Sequence, residues 1–111
     1  MPKTFLGEFE QMILLAILRL EAQPYAPSIS RLLEDNAGRR VSRGALYTTL
    51  ERLEKKGYLE WEIQAASSER GGNRKRAFNV TPEGLEALRS SHQALAALSS
   101  GLEGLLAKDS R

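Results

Sequence analysis

Apolar residues recur at helical spacing near the start of the chain. The spacing predicts a first helix over residues 6–21. Its main apolar stripe is formed by Phe9, Ile13, Ala16, Ile17 and Leu20. A second apolar flank runs beside this stripe and consists of Phe5, Met12 and Leu15. A helix with two apolar flanks is either buried centrally or also touches a partner, and the sequence leaves both interpretations open.

A second helix is predicted after a break at Gln23-Pro24. Pro27 suits its start, because the N–H groups of a first helical turn have no partner inside the helix. Asn36-Ala37-Gly38 then ends it. Its core face consists of Ile29, Leu32 and Leu33.

The stretch over residues 41–59 predicts a third helix with a defined start and stop. Ser42 is placed as the N-cap, since its hydroxyl can accept a hydrogen bond from a free first-turn N–H. Gly57 is placed at the left-handed C′ position behind two lysines. The buried face consists of Leu46, Leu50 and Leu53. The remaining faces offer arginine, threonine and tyrosine to solvent, which fits either a DNA major groove or a plain solvated surface.

Two alternating stretches joined by a glycine-bearing loop predict a β-hairpin after the third helix. Residues 58–63 place Leu59, Trp61 and Ile63 on one face, as in a half-buried strand, and residues 74–80 return with Phe78 and Val80 facing inward. The hairpin is rich in cations, namely Arg70, Arg74, Lys75 and Arg76. Alternation puts Arg74 and Arg76 on one face and Lys75 on the other. A helix followed by a basic hairpin is typical of a winged helix-turn-helix.

A last helix is predicted from Thr81 as the cap and Pro82 as its first residue. Leucines then follow a heptad over about three repeats, with one polar interruption at Ser91. The seam consists of Leu88, Leu95, Leu98, Leu102 and Leu105. A second copy of the chain would cover this seam most simply, and the alternative is packing against the first helix of the same chain.

Charge is unevenly distributed along the chain. Residues 39–76 hold ten lysines and arginines against five acidic residues, whereas the remainder holds six against nine, so a net charge of +2 hides a polarised molecule. Attraction to phosphates is the usual reason for such a patch, and solubility is the alternative. Because the basic segment coincides with the third helix and the hairpin, the first interpretation is favoured.

Several function classes are excluded by composition. The 111 residues are enough for one domain, and the chain has no cysteine and a single histidine, His92. There is no nucleophile–base pair, no metal-ligand cluster and no phosphate loop, so we expect neither an enzyme, nor a metal, nor a cofactor. No signal peptide or membrane span is visible, so we expect no membrane partner and a cytoplasmic location.

From residue 6 to residue 88, the chain resembles the PadR family of transcriptional regulators, in its small, short-tailed form. The resemblance lies in residues 6–8, in Tyr25 with Ile29, in VSRGALY at 41–47, in LERLEKKG at 50–57, in RGG at 70–72, and in FNVT at 78–81 followed by Gly84. One departure is Ala26-Pro27, where the family often has glycine after the tyrosine. The resemblance implies a two-fold dimer, binding to double-stranded DNA, and release by a small molecule or a stress signal.

The family pattern also implies roles for single residues. Ser42 and Tyr47 are implied at phosphates, and Arg43, Gly44 and Thr48 near base edges, where glycine allows close backbone approach. Tyr47 could instead cover the edge of the core with its hydroxyl in water. For Arg52 the alternatives are a phosphate contact or an ion pair with a neighbouring acid. The cations Arg70, Arg74, Lys75 and Arg76 are expected on the wing.

The sequence thus predicts a mainly α fold with a small β-hairpin: a winged helix-turn-helix of three helices and a two-stranded wing, followed by a C-terminal dimerisation helix. Residues 1–80 would form the DNA-binding domain and residues 81–111 the dimerisation helix, as one compact unit. The expected dimer interface consists of Phe9, Met12, Leu88, Leu95, Leu98, Leu102 and Leu105. The predicted function is a homodimeric repressor that binds a pseudo-palindromic operator. The alternative is a winged-helix module that binds an acidic protein.

Overall fold

A computed structural model describes residues 5–64 and 75–107 of the chain. The fold is mainly helical with one two-stranded antiparallel sheet, as predicted. The elements, in chain order, are α1 (Glu8–Leu20), α2 (Ala26–Ala37), α3 (Arg43–Lys55), β1 (Leu59–Gln64), β2 (Lys75–Val80), α4 (Pro82–Ser99) and α5 (Glu103–Leu106).

The predicted helix ends are confirmed where local chemistry sets them. The Ser42 hydroxyl accepts a hydrogen bond from the Ala45 N–H at 3.1 Å, so it caps α3. Gly38 follows α2 with φ at +64°, and Gly57 follows α3 with φ at +82°. Residues other than glycine rarely adopt this backbone conformation, so these two glycines end their helices. Thr81 caps α4 by accepting from the Gly84 N–H at 3.0 Å.

The centre of the fold is α1, which packs against α2, α3, α4 and β2. Ile13 and Leu14 are completely buried, although the predicted stripe left Leu14 out. Phe9, which the stripe included, is only half-buried. The reason is that neighbours cover α1 from several sides, so its buried surface is wider than one stripe. Of the second flank, Phe5 and Leu15 remain exposed.

Only the part of the hairpin nearest the helices is buried in the core. Leu59 and Phe78 are both 2% exposed, but Trp61 and Ile63 are 37% and 50% exposed. The predicted half-buried strand face is therefore wrong beyond Leu59, because β1 projects from the helices after its first residue. Trp61 pairs with Phe78 across the two strands, and Ile63 pairs with Arg76.

The C-terminal helix is shorter than predicted. The heptad predicted one seam through Leu105, but α4 ends at Ser99 and a single turn, α5, follows. Gly101 lies between them with φ at +88°, a conformation that breaks the helix and that glycine accepts readily. Leu102 and Leu105 therefore do not continue the line of leucines along α4.

Two seam positions on α4 belong to the chain's own core. Leu88, which was expected at the dimer interface, is 6% exposed and packs in the main apolar cluster. This expectation was wrong because the first turns of α4 lie against the body of the fold. Ser91, the polar interruption, is also buried, and its hydroxyl accepts a hydrogen bond from the Leu6 N–H at 2.9 Å. The seam residue thus anchors the chain just before α1.

The start of α4 lies against the backbone that follows α3. The Thr81 N–H donates to the Tyr58 carbonyl at 3.1 Å, and the Thr81 hydroxyl donates to the Gly57 carbonyl at 2.6 Å. Gly84 sits so close to Tyr58 that an added Cβ would lie 2.1 Å from that carbonyl oxygen. Only glycine allows this approach, since the two hydrogen bonds keep both segments in place.

We expect Gly84→Ala to lower the free energy of unfolding by roughly 2–4 kcal/mol, because the new methyl overlaps a hydrogen-bonded backbone. Urea titration followed by circular dichroism measures the change. Gly104→Ala is the matched control, since nothing lies within 4 Å of a Cβ there, and it should change stability by less than about 1 kcal/mol. Equal effects of the two variants would contradict the close approach of α4 to Tyr58.

A buried carboxylate joins α1 to the end of α3. Glu10 accepts from the Gly7 N–H at 2.9 Å and from the Lys56 ammonium at 2.8 Å. Burial by itself raises the pKa of Glu10. Hydrogen bonds from Lys56 and Gly7, with the positive charges of Lys56 and Arg52, outweigh burial and hold its pKa below the ordinary 4.5. The folded state therefore favours the ionised carboxylate.

This depressed pKa predicts a pH dependence. A carboxylate with a lower pKa in the folded state stabilises the fold above its unfolded pKa, and that contribution is lost as pH falls through the folded pKa. We expect the free energy of unfolding to fall between about pH 5 and about pH 3. In Glu10→Gln the free energy of unfolding should be about 1 kcal/mol lower at pH 7, and it should fall less as the pH is lowered.

The matched control is Glu8→Gln, which breaks the more exposed pair of Glu8 with Arg39, at 3.1 Å. A surface pair contributes little, so this variant should keep the acid-dependent loss of the parent chain. If Glu10→Gln lost stability in acid as steeply as the parent chain, the Glu10 carboxylate would not be the titrating group.

Candidate nucleic-acid interface

One side of α3 is exposed and polar. Gly44, Thr48 and Arg52 follow each other at intervals of four, so they line one face, and Arg43 lies beside them. All four are exposed, and so is the capping residue Ser42. The opposite side holds the leucines of the core, which are Leu46, Leu50 and Leu53. Each of the residues predicted on α3 is therefore accessible to a ligand, with Tyr47 half-buried at the edge.

The two neighbouring threonines of α3 differ in position. Thr49 is buried and its hydroxyl donates to the Ala45 carbonyl at 2.9 Å, so it serves the helix itself. Thr48 is exposed on the face of Gly44. An added Cβ at Gly44 would meet nothing within 4 Å. The fold thus gives no reason for glycine at position 44, whereas a surface that approaches the backbone closely would give one.

An arginine of the wing connects the hairpin to α3. The guanidinium carbon of Arg76 lies 5.6 Å from the ring centre of Tyr47 and 4.9 Å from that of Trp61. Both distances are within the range of cation–π attraction. Sequence reasoning found all three residues but did not predict this contact, because only the fold brings β1, β2 and α3 together.

The edge of β2 that does not pair with β1 lies against the residues that lead into α2. The Lys75 ammonium lies 5.1 Å from the ring centre of Tyr25, whose hydroxyl donates to Gln64 Oε1 at 2.6 Å. In addition, the Phe78 N–H donates to the Pro24 carbonyl at 3.0 Å. Lys75 pairs with Gln64 and Arg76 pairs with Ile63 across the two strands, so the two cations lie on opposite faces, as alternation predicted. Arg70 and Arg74, which were predicted on the wing, lie outside the described residues.

The structure divides the basic residues of the segment into two groups. Arg39, Arg40 and Lys56 form ion pairs with acids of the fold. Within residues 5–64 and 75–107, no ion pair involves the other basic residues of the segment, namely Arg43, Arg52, Lys55, Lys75 and Arg76. Of the two alternatives for Arg52, an ion pair with a neighbouring acid is not found in this part of the chain, although the charge of Arg52 helps to lower the pKa of Glu10. The cations that remain for a ligand lie on α3 and β2.

Arg39 has a structural role that the charge pattern did not reveal. Its guanidinium pairs with Glu8, lies 4.9 Å from the ring centre of Phe9, and donates to the sulfur of Met12 at 3.8 Å. Phe9 and Met12, both predicted at a dimer interface, are half-buried beneath it. Arg39 thus fixes the turn before α3 to α1.

The end of the chain carries uncovered leucines. Leu95, Leu98, Leu102 and Leu105 are each at least 45% exposed, and so is Leu106, which the heptad did not include. So many exposed leucines near each other on a small chain are typical of a protein–protein contact. In the described part of the chain, no cluster of His, Cys, Asp and Glu could hold a metal ion. None of the described helices has the length and hydropathy needed to cross a membrane.

Comparison with known proteins gives consistent results. The family model described as the transcriptional regulator PadR-like family matches residues 14–90. A crystal structure of a PadR-like transcriptional regulator from Bacillus cereus is 27% identical, with a TM-score of 0.71, and the match covers 91% of this chain and 93% of that one. A PadR family transcriptional regulator from Eggerthella lenta is 25% identical, with a TM-score of 0.65, over 92% of this chain and 88% of that one.

A third structure extends the likeness of fold. A PadR family transcription regulator from Clostridium difficile is 22% identical, with a TM-score of 0.70, and the match covers 89% of this chain and 99% of that one. At this identity only the fold is compared. No curated protein matches the chain.

Proposed function

Because the chain belongs to the PadR-like family of transcriptional regulators, we propose that it binds double-stranded DNA sequence-specifically through α3 and the wing. The observation that carries this proposal is the exposed face of Arg43, Gly44, Thr48 and Arg52, whose two arginines make no ion pair in the described residues. Beside it, the wing contributes Arg76. A helix with such a face matches the width of a major groove.

We assign the residues of α3 to two tasks. Arg43 and Thr48 read base edges, since arginine can donate two hydrogen bonds to guanine. Ser42, Tyr47 and Arg52 contact phosphates and set the position of the helix on the duplex. Lys75, Arg76 and the predicted wing residues Arg70 and Arg74 add positive charge beside the same duplex.

The functional form in this proposal is a homodimer. Residues 1–80 are the DNA-binding domain, and residues 81–111 carry the contact between copies, in one compact unit. The exposed leucines of α4 and α5 support this contact, because removing their apolar surface from water is favourable. A two-fold dimer presents two copies of α3 to successive major grooves, about 34 Å apart, so the operator is a pseudo-palindrome.

The regulatory outcome is proposed on family likeness alone. We propose a repressor that a small molecule or a stress signal releases from its operator. The rival interpretation keeps the same fold but uses the basic surface for an acidic protein. Phosphate binding depends steeply on salt, so titration of duplex DNA at several salt concentrations separates the two.

We expect Arg43→Ala to relax sequence preference, with a loss of roughly 1–3 kcal/mol on selected DNA and much less on random DNA. Arg52→Ala should instead weaken binding to both duplexes alike and lower the salt slope by about one unit. Fluorescence anisotropy with a duplex selected from a random pool, and with a scrambled duplex of the same length, measures both effects.

Gly44→Ala completes this set of variants. Since nothing obstructs a Cβ at position 44, the variant should fold at least as stably as the parent chain. Its DNA affinity should nevertheless fall, because the methyl separates the helix from the duplex. If all three variants bound both duplexes like the parent chain, α3 would not be the DNA surface and the protein-binding alternative would take its place.

We expect Leu95→Glu with Leu98→Glu to give monomers, because the charges prevent burial of this surface between two copies. Sedimentation of the parent chain and the double variant at micromolar concentration measures the change. Both leucines are more than half exposed, so the double variant should still fold. A parent chain that sedimented as a monomer would contradict the dimer itself.

A further inference from the structure

Arg76 lies against two aromatic rings from two different elements. Its guanidinium carbon is 4.9 Å from the ring centre of Trp61 on β1 and 5.6 Å from that of Tyr47 on α3. We propose that Arg76 is a positioning residue: it acts in DNA binding through Tyr47 and Trp61, by fixing the wing to the recognition helix, and not as a direct ligand of phosphate. This inference rests on the DNA-binding function proposed above.

The contact joins the outer part of the hairpin to α3. β1 leaves the core after Leu59, so the outer half of the hairpin has little apolar packing of its own. Trp61 is 37% exposed, and its neighbour along the same face, Ile63, is 50% exposed. Among the described residues on this face of the hairpin, the stack of Trp61, Arg76 and Tyr47 therefore connects the wing to α3.

The chemistry of the stack requires arginine. A guanidinium is planar and weakly hydrated, so it can lie between two rings, whereas a lysine ammonium is a compact and strongly hydrated charge. Lys75 illustrates the difference, since its ammonium lies over one ring only, that of Tyr25. A guanidinium held in this way also fixes the ring of Tyr47, the residue proposed to contact phosphate.

Preorganisation explains how the stack affects affinity. A wing and a tyrosine already held in their bound positions lose less conformational freedom on binding DNA. Without either ring or the guanidinium, the wing and Tyr47 would have to become ordered on binding, and DNA affinity would fall. Because lysine keeps the positive charge, the effect of Arg76→Lys on DNA affinity should report the loss of the stack and not a loss of charge.

The test is a double-mutant cycle on DNA affinity, with Arg76→Lys, Trp61→Leu and the double variant. We expect each single variant to bind a selected duplex about tenfold more weakly, and the double variant to bind no more weakly than either single one. The salt slope should stay that of the parent chain in all three, since no phosphate contact is lost. Ile63→Ala, which removes an exposed apolar side chain from the same face, is the matched control and should bind normally.

A second measurement needs no DNA. Trp61 is the only tryptophan of the chain, so tryptophan emission of the free protein, excited selectively over the tyrosines, reports on the surroundings of this one ring. We expect Arg76→Gln to change both the intensity and the emission wavelength of Trp61, and Lys75→Gln to leave both unchanged. Unaltered fluorescence in Arg76→Gln would mean that the stack does not exist in solution, and the proposal would fail.

The remaining outcomes are distinct. If Arg76→Lys kept full affinity, Trp61→Leu had no effect, and Arg76→Gln lowered the salt slope by about one unit, then Arg76 would be a direct phosphate ligand and the proposal would be wrong. If the parent chain bound DNA without steep salt dependence, the DNA-binding function would fail instead, while the fluorescence result would still decide whether the stack forms.

Discussion

Burial of α1 is the constraint on which the rest of the structure depends. Full burial of a large aliphatic side chain contributes about 1.5–3 kcal/mol, and α1 places two such side chains, Ile13 and Leu14, at the centre of a small core. Because α2, α3, α4 and β2 all pack on this one helix, their relative positions are set by its surface. The exposed face of α3 is accordingly held on a rigid support.

Polar contacts fix the position of α3 on α1 more closely than apolar burial alone would. Glu10 ties α1 to the end of α3 through Lys56, and Arg39 ties α1 to the turn before α3 through Glu8, Phe9 and Met12. The helix that we propose to read DNA is therefore fastened to α1 at both ends. The basic residues of segment 39–76 serve two purposes. Some form ion pairs that hold the fold together, and those that form no ion pair in the described residues are the ones we propose for phosphates.

Features set by neighbouring residues could be predicted from the sequence. The caps at Ser42 and Thr81 and the stop at Gly57 were found, because each depends on a few adjacent backbone groups. The accessible face of α3 was found as well, since helical spacing separates it from the leucines. Features that need a distant partner were missed: the stack of Arg76, the pairing of Lys56, and the place of Leu88 in the core. A heptad specifies a stripe of leucines but not which of them the same chain covers.

Ser91 limits how far the proposed self-association surface can extend toward the start of α4. Leucine at this position would complete the heptad, but it would also leave the buried Leu6 amide without an acceptor. An unsatisfied buried amide costs about 1–3 kcal/mol, and a leucine at this buried position would face the chain's own core and add little to a surface between copies. Substitutions meant to tighten the proposed dimer would therefore have to lie on α4 beyond this serine.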